Sequence, residues 1–123
     1  LTLSETAVTD KGFEKLAGMR KLESLQASGT QITSKSISEI ARIGKLRILD
    51  LSATGVSGGL EPLAQLPELE WLLLSELNIE DDSVVALANS TSLKKLNLLN
   101  TKFSNEDAWK KVSAGAGRIA VER

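Results

Sequence analysis

Two carboxylates, Asp50 and Glu76, are the residues nearest in type to a general acid/base pair, in which one carboxyl group delivers a proton while the other accepts one. That chemistry needs a nucleophile, a loop that closes a pocket or a glycine-rich turn for phosphate, and none accompanies them. The chain has no cysteine and no histidine, which removes a thiol nucleophile, a histidine base, a disulfide framework and a zinc site of the usual kind. Gly58-Gly59 does not fit the G-x-G-x-x-G pattern. Two solvated carboxylates are therefore expected, with no enzyme activity, metal or cofactor. Recognition is the chemistry that remains. Trp71 and Leu73, with Ile48 and Leu99, are large apolar side chains, and Asp50, Lys95 and Asn97 are polar ones that recur near them in the pattern of the chain. An aromatic anchor with aliphatic neighbours and a polar surround is the composition of an interface centre and its rim.

A tandem repeat is what would bring those residues together. Four stretches carry leucine in slots 1, 4 and 6, with Ala27 the exception, and a branched or aromatic residue in slot 11. They are Leu22, Leu25, Ala27 and Ile32; Leu46, Leu49, Leu51 and Val56; Leu69, Leu72, Leu74 and Ile79; and Leu93, Leu96, Leu98 and Phe103. The spacings are 46−22=24, 69−46=23 and 93−69=24. A truncated copy opens the chain, with Leu1 and Leu3 in slots 4 and 6 and Val8 in slot 11. In a chain that is 41% apolar, one slot filled in five copies arises by chance roughly one time in a hundred, and several fill together. A period of 20 to 29 residues built on L-x-x-L-x-L marks a solenoid with one strand per copy, whose neighbours bury leucines that no copy buries alone.

Slots 4 and 6 lie one strand period apart, so their side chains point inward while slots 3, 5 and 7 point to the other face. Successive strands must be parallel and joined by crossovers that cover the buried face. Apolar residues three apart predict short helical crossovers: Phe13 and Leu16 after a cap at Thr9 or Asp10; Ile37, Ile40 and Ile43 after Thr33 or Ser34; and Val84 with Leu87. The third crossover, with Leu60, Leu63 and Leu66, is a residue shorter and contains Gly58-Gly59 and Pro62, so a looser or 3₁₀ turn and the least helix are expected there. The fifth begins at Ser104, with Asp107 as a capping-box partner, and runs through Trp109 and Val112 in a register slipped by one. Trp109 is read as a plug at the end of the core. Ala114-Gly-Ala-Gly117 breaks that helix, and Ile119 and Val121 take slots 4 and 6 of a last strand within 118–122.

At 123 residues the chain has the size of one domain of about five units: a partial 1–21, then 22–45, 46–68, 69–92 and 93–115. Fifteen basic and 16 acidic residues give a net charge of −1, so bulk charge attracts neither nucleic acid nor an anionic membrane. No apolar run approaches the ~20 residues that span a bilayer, and no signal peptide heads the chain. The sequence starts at slot 4 without an initiator Met, the form of a piece of a longer polypeptide whose targeting segments would lie outside it.

From Leu1 to about Val112 the chain resembles the leucine-rich repeat family. The run Val8-Thr-Asp-Lys-Gly-Phe-Glu-Lys-Leu-Ala-Gly-Met followed by Leu22-Glu-Ser-Leu-Gln-Ala-Ser-Gly-Thr-Gln-Ile-Thr is similar to its 24-residue bacterial, planctomycete-like class. That resemblance implies an α/β right-handed solenoid, a horseshoe arc with its parallel sheet on the concave side and short helices on the convex side. It also implies protein or peptide binding, with no family-wide catalytic residue. One departure stands out: slot 9 is threonine at 6, 30, 54 and 101 but Leu77 in the fourth unit. A hydroxyl ladder between coils is expected to break there, with a local rearrangement or a buried water.

The slots that face away from the core differ from copy to copy. Slot 2 reads Glu23, Arg47, Glu70, Lys94; alternating signs about 4.8 Å apart predict an ion-pair ladder worth ~0.2–1 kcal/mol per pair, rather than a docking rail. Slots 3, 5 and 7 are polar in the first two units, whereas Ile48, Trp71, Leu73 and Leu99 form an apolar patch from the third onward, rimmed by Asp50, Glu76, Lys95, Asn97 and Asn100. This patch predicts a non-catalytic module that binds a protein or peptide on the concave face. The residues leave other occupants open: Trp71 lying flat over its neighbours, or covered by a segment of a longer chain. A structural scaffold, self-associating weakly through its uncapped first strand or remaining a monomer, and an accessory domain of a larger enzyme are the alternative roles.

Overall fold

The structure, a computed structural model, describes residues 1–16, 18–104, 106–115 and 119–123, without the side chains of residues 106, 109 and 113–115. Among these, β1 (Ser24–Gln26), β2 (Ile48–Asp50), β3 (Trp71–Leu73), β5 (Lys95–Asn97) and β7 (Ala120–Glu122) form a parallel sheet in that order, while β4 (Asn78–Ile79) pairs with β6 (Lys102–Phe103). Each strand of the larger sheet pairs with the strand one repeat away: Leu25 lies opposite Leu49, Leu49 opposite Leu72, and Leu72 opposite Leu96. All four leucines are fully buried. The slot 4 residues thus make one column, lined by Ala27, Leu51, Leu74 and Leu98 from slot 6 and by Ile32, Val56, Ile79 and Phe103 from slot 11. The truncated first copy joins the same sheet. Thr2 bridges Gln26, the Leu3 N–H donates to the Gln26 carbonyl at 2.6 Å, and the Gln26 N–H donates to the Leu1 carbonyl at 2.9 Å.

The last strand departs from its expected register. Val121, not Ile119, lies opposite Leu96, so this repeat is 121−96=25 residues long and the strand occupies Ala120–Glu122. Alternation could not reveal this, because a slip of two residues keeps every side chain on its own face. Length decides: the preceding helix is the longest described, and the chain needs one more residue to return.

Crossovers cover the buried face. In the first, α1 (Asp10–Glu14) is capped by Thr9, whose Oγ1 accepts from the Gly12 N–H at 3.3 Å, and it buries Phe13. In the second, Thr33 caps a 3₁₀ turn, Ser34–Ser36, that leads into α2 (Ile37–Ile40), and Ile37, Ile40 and Ile43 are buried. The third is a 3₁₀ helix, Glu61–Gln65, with Pro62 in its first turn, where its missing N–H costs nothing. The fourth, expected to be helical like the first two, is also 3₁₀, Ser83–Asn89. Its buried pair, Val84 and Leu87, is three residues apart, the repeat of a 3₁₀ turn, so both face the core without α geometry.

The fifth crossover, α3 (Glu106–Gly115), buries Ala108 and Val112, four residues apart as an α-helix requires. The slip of one holds for Val112, which stands 112−87=25 residues after Leu87, but not for Ala108, which stands 108−84=24 residues after Val84 in the slot held by Phe13 and Ile37. Alanine hid that position, because its side chain resembles neither of the larger residues that fill it elsewhere. The side chain of Trp109 lies outside the described residues, as do residue 105, where the cap of α3 would fall, and residues 116 and 117 of the expected helix break.

Two local devices close each repeat. In each of the five units slot 8 takes the left-handed backbone conformation: Glu5 (φ 59°), Gly29 (68°), Ala53 (53°), Glu76 (58°) and Asn100 (58°). One residue on, the slot 9 threonine folds back on its own repeat rather than bridging to the next: Thr6, Thr30 and Thr54 donate to the carbonyls of Leu3, Ala27 and Leu51 at 2.6, 2.8 and 2.7 Å. Leu77 breaks this series, and Thr101 of the following repeat mends it. The Thr101 hydroxyl donates to the Leu74 carbonyl and accepts from the Leu77 N–H at 3.3 Å. The expected rearrangement is thus a threonine reaching across repeats.

Candidate protein-binding face

The sheet turns its slot 3 and slot 5 side chains away from the core. Slot 3 runs Ser24, Ile48, Trp71, Lys95, Ala120 across neighbouring strands, and slot 5 runs Thr2, Gln26, Asp50, Leu73, Asn97, Glu122. Trp71 is 48% exposed and Leu99 42%, the two most open large apolar residues on this face. Ile48 and Leu73 are half-buried. Ile48 lies directly opposite Trp71, whereas Leu73 is flanked by Asp50 and Asn97. Leu99 sits past the end of β5. Trp71 and Leu73, two residues apart on β3, are neighbours on this face, with Ile48 beside Trp71 and polar Asp50 and Asn97 on either side of Leu73.

Several expected rim residues are already engaged. Asp50 accepts the Ser52 N–H at 3.0 Å and Asn97 the Leu99 N–H at 2.9 Å, each through Oδ1, so both brace the turn that follows their strand. Lys95 holds its ammonium 5.7 Å from the centroid of the Trp71 ring and 3.2 Å from Glu122 Oε1. Glu122 belongs to this face, because the register of β7 sets it opposite Asn97 in slot 5. The serines of slot 7 are links between repeats: Ser28 Oγ donates to Ser4 Oγ at 3.0 Å, and the Ser75 N–H donates to Ser52 Oγ at 3.1 Å.

The charged ladder of slot 2 forms only in part. Glu70 takes Arg47 Nη2 on Oε2 and Lys94 Nζ on Oε1, both at 3.1 Å. Hydrogen bonds from Lys94 and Arg47 hold its carboxyl below the ordinary glutamate value. Arg47 therefore turns toward Glu70, and among the described residues Glu23 has no cation within 4.0 Å. An open groove of about 450 Å³ runs beside this cluster, lined by Glu23, Ser24, Arg47, Ile48, Glu70 and Trp71.

This arrangement, short parallel strands one repeat apart with their leucines in register and short helices behind them, is a leucine-rich-repeat-like fold. Among solved structures, an internalin (inlF) from Listeria monocytogenes str. 4b F2365 is similar, with a TM-score of 0.59 at 15% sequence identity. The match covers 98% of this chain and 39% of the internalin chain, so the chain spans well under half the length of that structure. No protein-family model matches the sequence, and the comparison with curated proteins gives no match.

Proposed function

We propose that the chain is a non-catalytic domain of about five leucine-rich repeats, a right-handed arc whose concave sheet face binds a protein or peptide. Trp71 and Leu73 are its centre, Ile48 and Leu99 extend it, and Asp50, Lys95 and Asn97 border it. The observation that carries this reading is the exposure of Trp71, 48% open on a regular sheet whose other face is closed. An indole left in water on a rigid platform gives up little conformational freedom on binding and brings a large apolar surface to a contact. The likeness to an internalin adds the fold in which such faces are built; the side chains on the face belong to this chain alone.

The test uses a peptide selected against the intact protein from a random display library. Trp71→Ala should keep the urea midpoint of the parent, because the ring lies outside the core, and should weaken the selected peptide by about 2 kcal/mol or more. Met19→Ala, at a residue 44% exposed in the loop before Leu22, should leave affinity unchanged. Undiminished affinity in the Trp71 variant would reject the face.

A further inference from the structure

We propose that the groove beside Trp71 receives a basic side chain, arginine or lysine, from the partner; the inference rests on the sheet face being the binding face. Its lining has two kinds of wall. Ile48 and Trp71, opposite one another on β2 and β3, supply an apolar surface for the aliphatic stem of a long side chain. Glu23, Arg47 and Glu70 line it with charge, and Lys94 adds a fourth through its bond to Glu70, so the group sums to −1+1−1+1=0. The signs are unevenly placed. Glu70 has both oxygens occupied at 3.1 Å by Arg47 and Lys94, which leaves Glu23 as the carboxylate with no cation within 4.0 Å among the described residues.

Other occupants fit worse. An acidic side chain would meet Glu23 while the guanidinium of Arg47 is committed to Glu70. An apolar one would shield Glu23 from water without giving it a partner, a loss that weakens an interface. A cation gains twice, from the carboxylate and from the face of the indole. The same ring already carries one ammonium, since Lys95 Nζ stands 5.7 Å from its centroid. Lys95 is not part of the groove lining, and its salt bridge to Glu122 draws it toward β7, which leaves the β2 side of Trp71 to the partner.

Two blocked peptides test this, one of sequence TVRVT and one with citrulline, the neutral isostere, in place of arginine. Binding is followed by the indole N–H resonance of Trp71, assigned from its loss in Trp71→Phe. The arginine peptide should shift that resonance and bind about fivefold more tightly than the citrulline peptide. Added salt should narrow the gap, and Glu23→Gln should narrow it by weakening the arginine peptide. Equal affinities with the Trp71 resonance shifted by both would overturn the cation site but keep the sheet face. A preference undiminished by Glu23→Gln would also overturn it. If neither peptide moves the resonance at millimolar concentration the inference fails, and the sheet-face reading falls with it only if Trp71→Ala also leaves the library-selected peptide unaffected.

Discussion

Single residues decide how each repeat closes, and here the sequence was least transparent. Five residues adopt the left-handed conformation in slot 8, yet only Gly29 and, more weakly, Asn100 have a residue type that announces it. Glu5, Ala53, Glu76 and Asn100 take that conformation because the surrounding hydrogen bonds dictate it, against a cost of roughly 1 kcal/mol for a residue with a Cβ. Ala53→Gly, at an exposed position, should therefore stabilise the protein by about 0.5 kcal/mol in urea unfolding, the relief of strain outweighing the added freedom of the unfolded chain. A lower midpoint would show that Ala53 is not strained. Thr101 makes a second residue-scale case. It is buried and serves two backbone groups, the Leu74 carbonyl and the Leu77 N–H. Thr101→Val keeps the shape but strands both, and should cost about 2–3 kcal/mol. Thr30→Val, which removes the single side-chain bond to the Ala27 carbonyl, should cost about 1 kcal/mol. Equal losses would remove the special role given to Thr101.

Elements were legible where spacing alone defines them and opaque where length or a small residue intervenes. The strand positions follow from leucines at slots 4 and 6, and the Thr9 and Thr33 caps from their place before apolar periodicity. The register of β7 needed the length of α3, which no slot encodes, and the burial of Ala108 was hidden by its small side chain. Neighbouring crossovers are tied together by Asp10. Its Oδ1 accepts the Thr33 N–H at 2.8 Å and Ser36 Oγ at 2.6 Å, and its Oδ2 accepts Thr33 Oγ1 at 2.5 Å. Burial opposes ionisation of this carboxyl, but the bonds from Ser36 and Thr33 outweigh it and hold its pKa below the ordinary aspartate value. Asp81 follows the same logic, with burial opposed by bonds from Ser83 and Gly59. A carboxyl with a lowered folded pKa stabilises the fold above its unfolded pKa and ceases to do so as pH falls through the folded one. Stability should thus be flat near neutrality and decline below about pH 4. Asp10→Asn should lose about 1 kcal/mol at neutral pH and show a shallower acid decline; an unchanged acid slope would exclude Asp10 as a contributor.

At the scale of the whole molecule, one pattern serves two ends. Leucines of the slot 4 column are interchangeable in role, and removing any one opens a cavity between repeats. Leu72→Ala, at a fully buried position, should cost about 2–5 kcal/mol in urea unfolding, whereas Trp71→Ala, one residue away and facing outward, should cost little. This contrast between adjacent residues follows from strand alternation and was readable in the sequence. The recognition chemistry was readable only in outline. Trp71, Ile48, Leu73 and Leu99 were assigned to one face from their slots, but the partners that Lys95, Asp50 and Asn97 take are set by side-chain geometry that a repeat pattern does not contain. The account as a whole is tested most directly by the footprint of a library-selected peptide on isotope-labelled protein, read as chemical-shift changes residue by residue. The sheet-face account predicts changes at Ile48, Trp71, Leu73 and Leu99, with α1 and α2 unmoved. A footprint on those helices with the Trp71 resonances unchanged would contradict it.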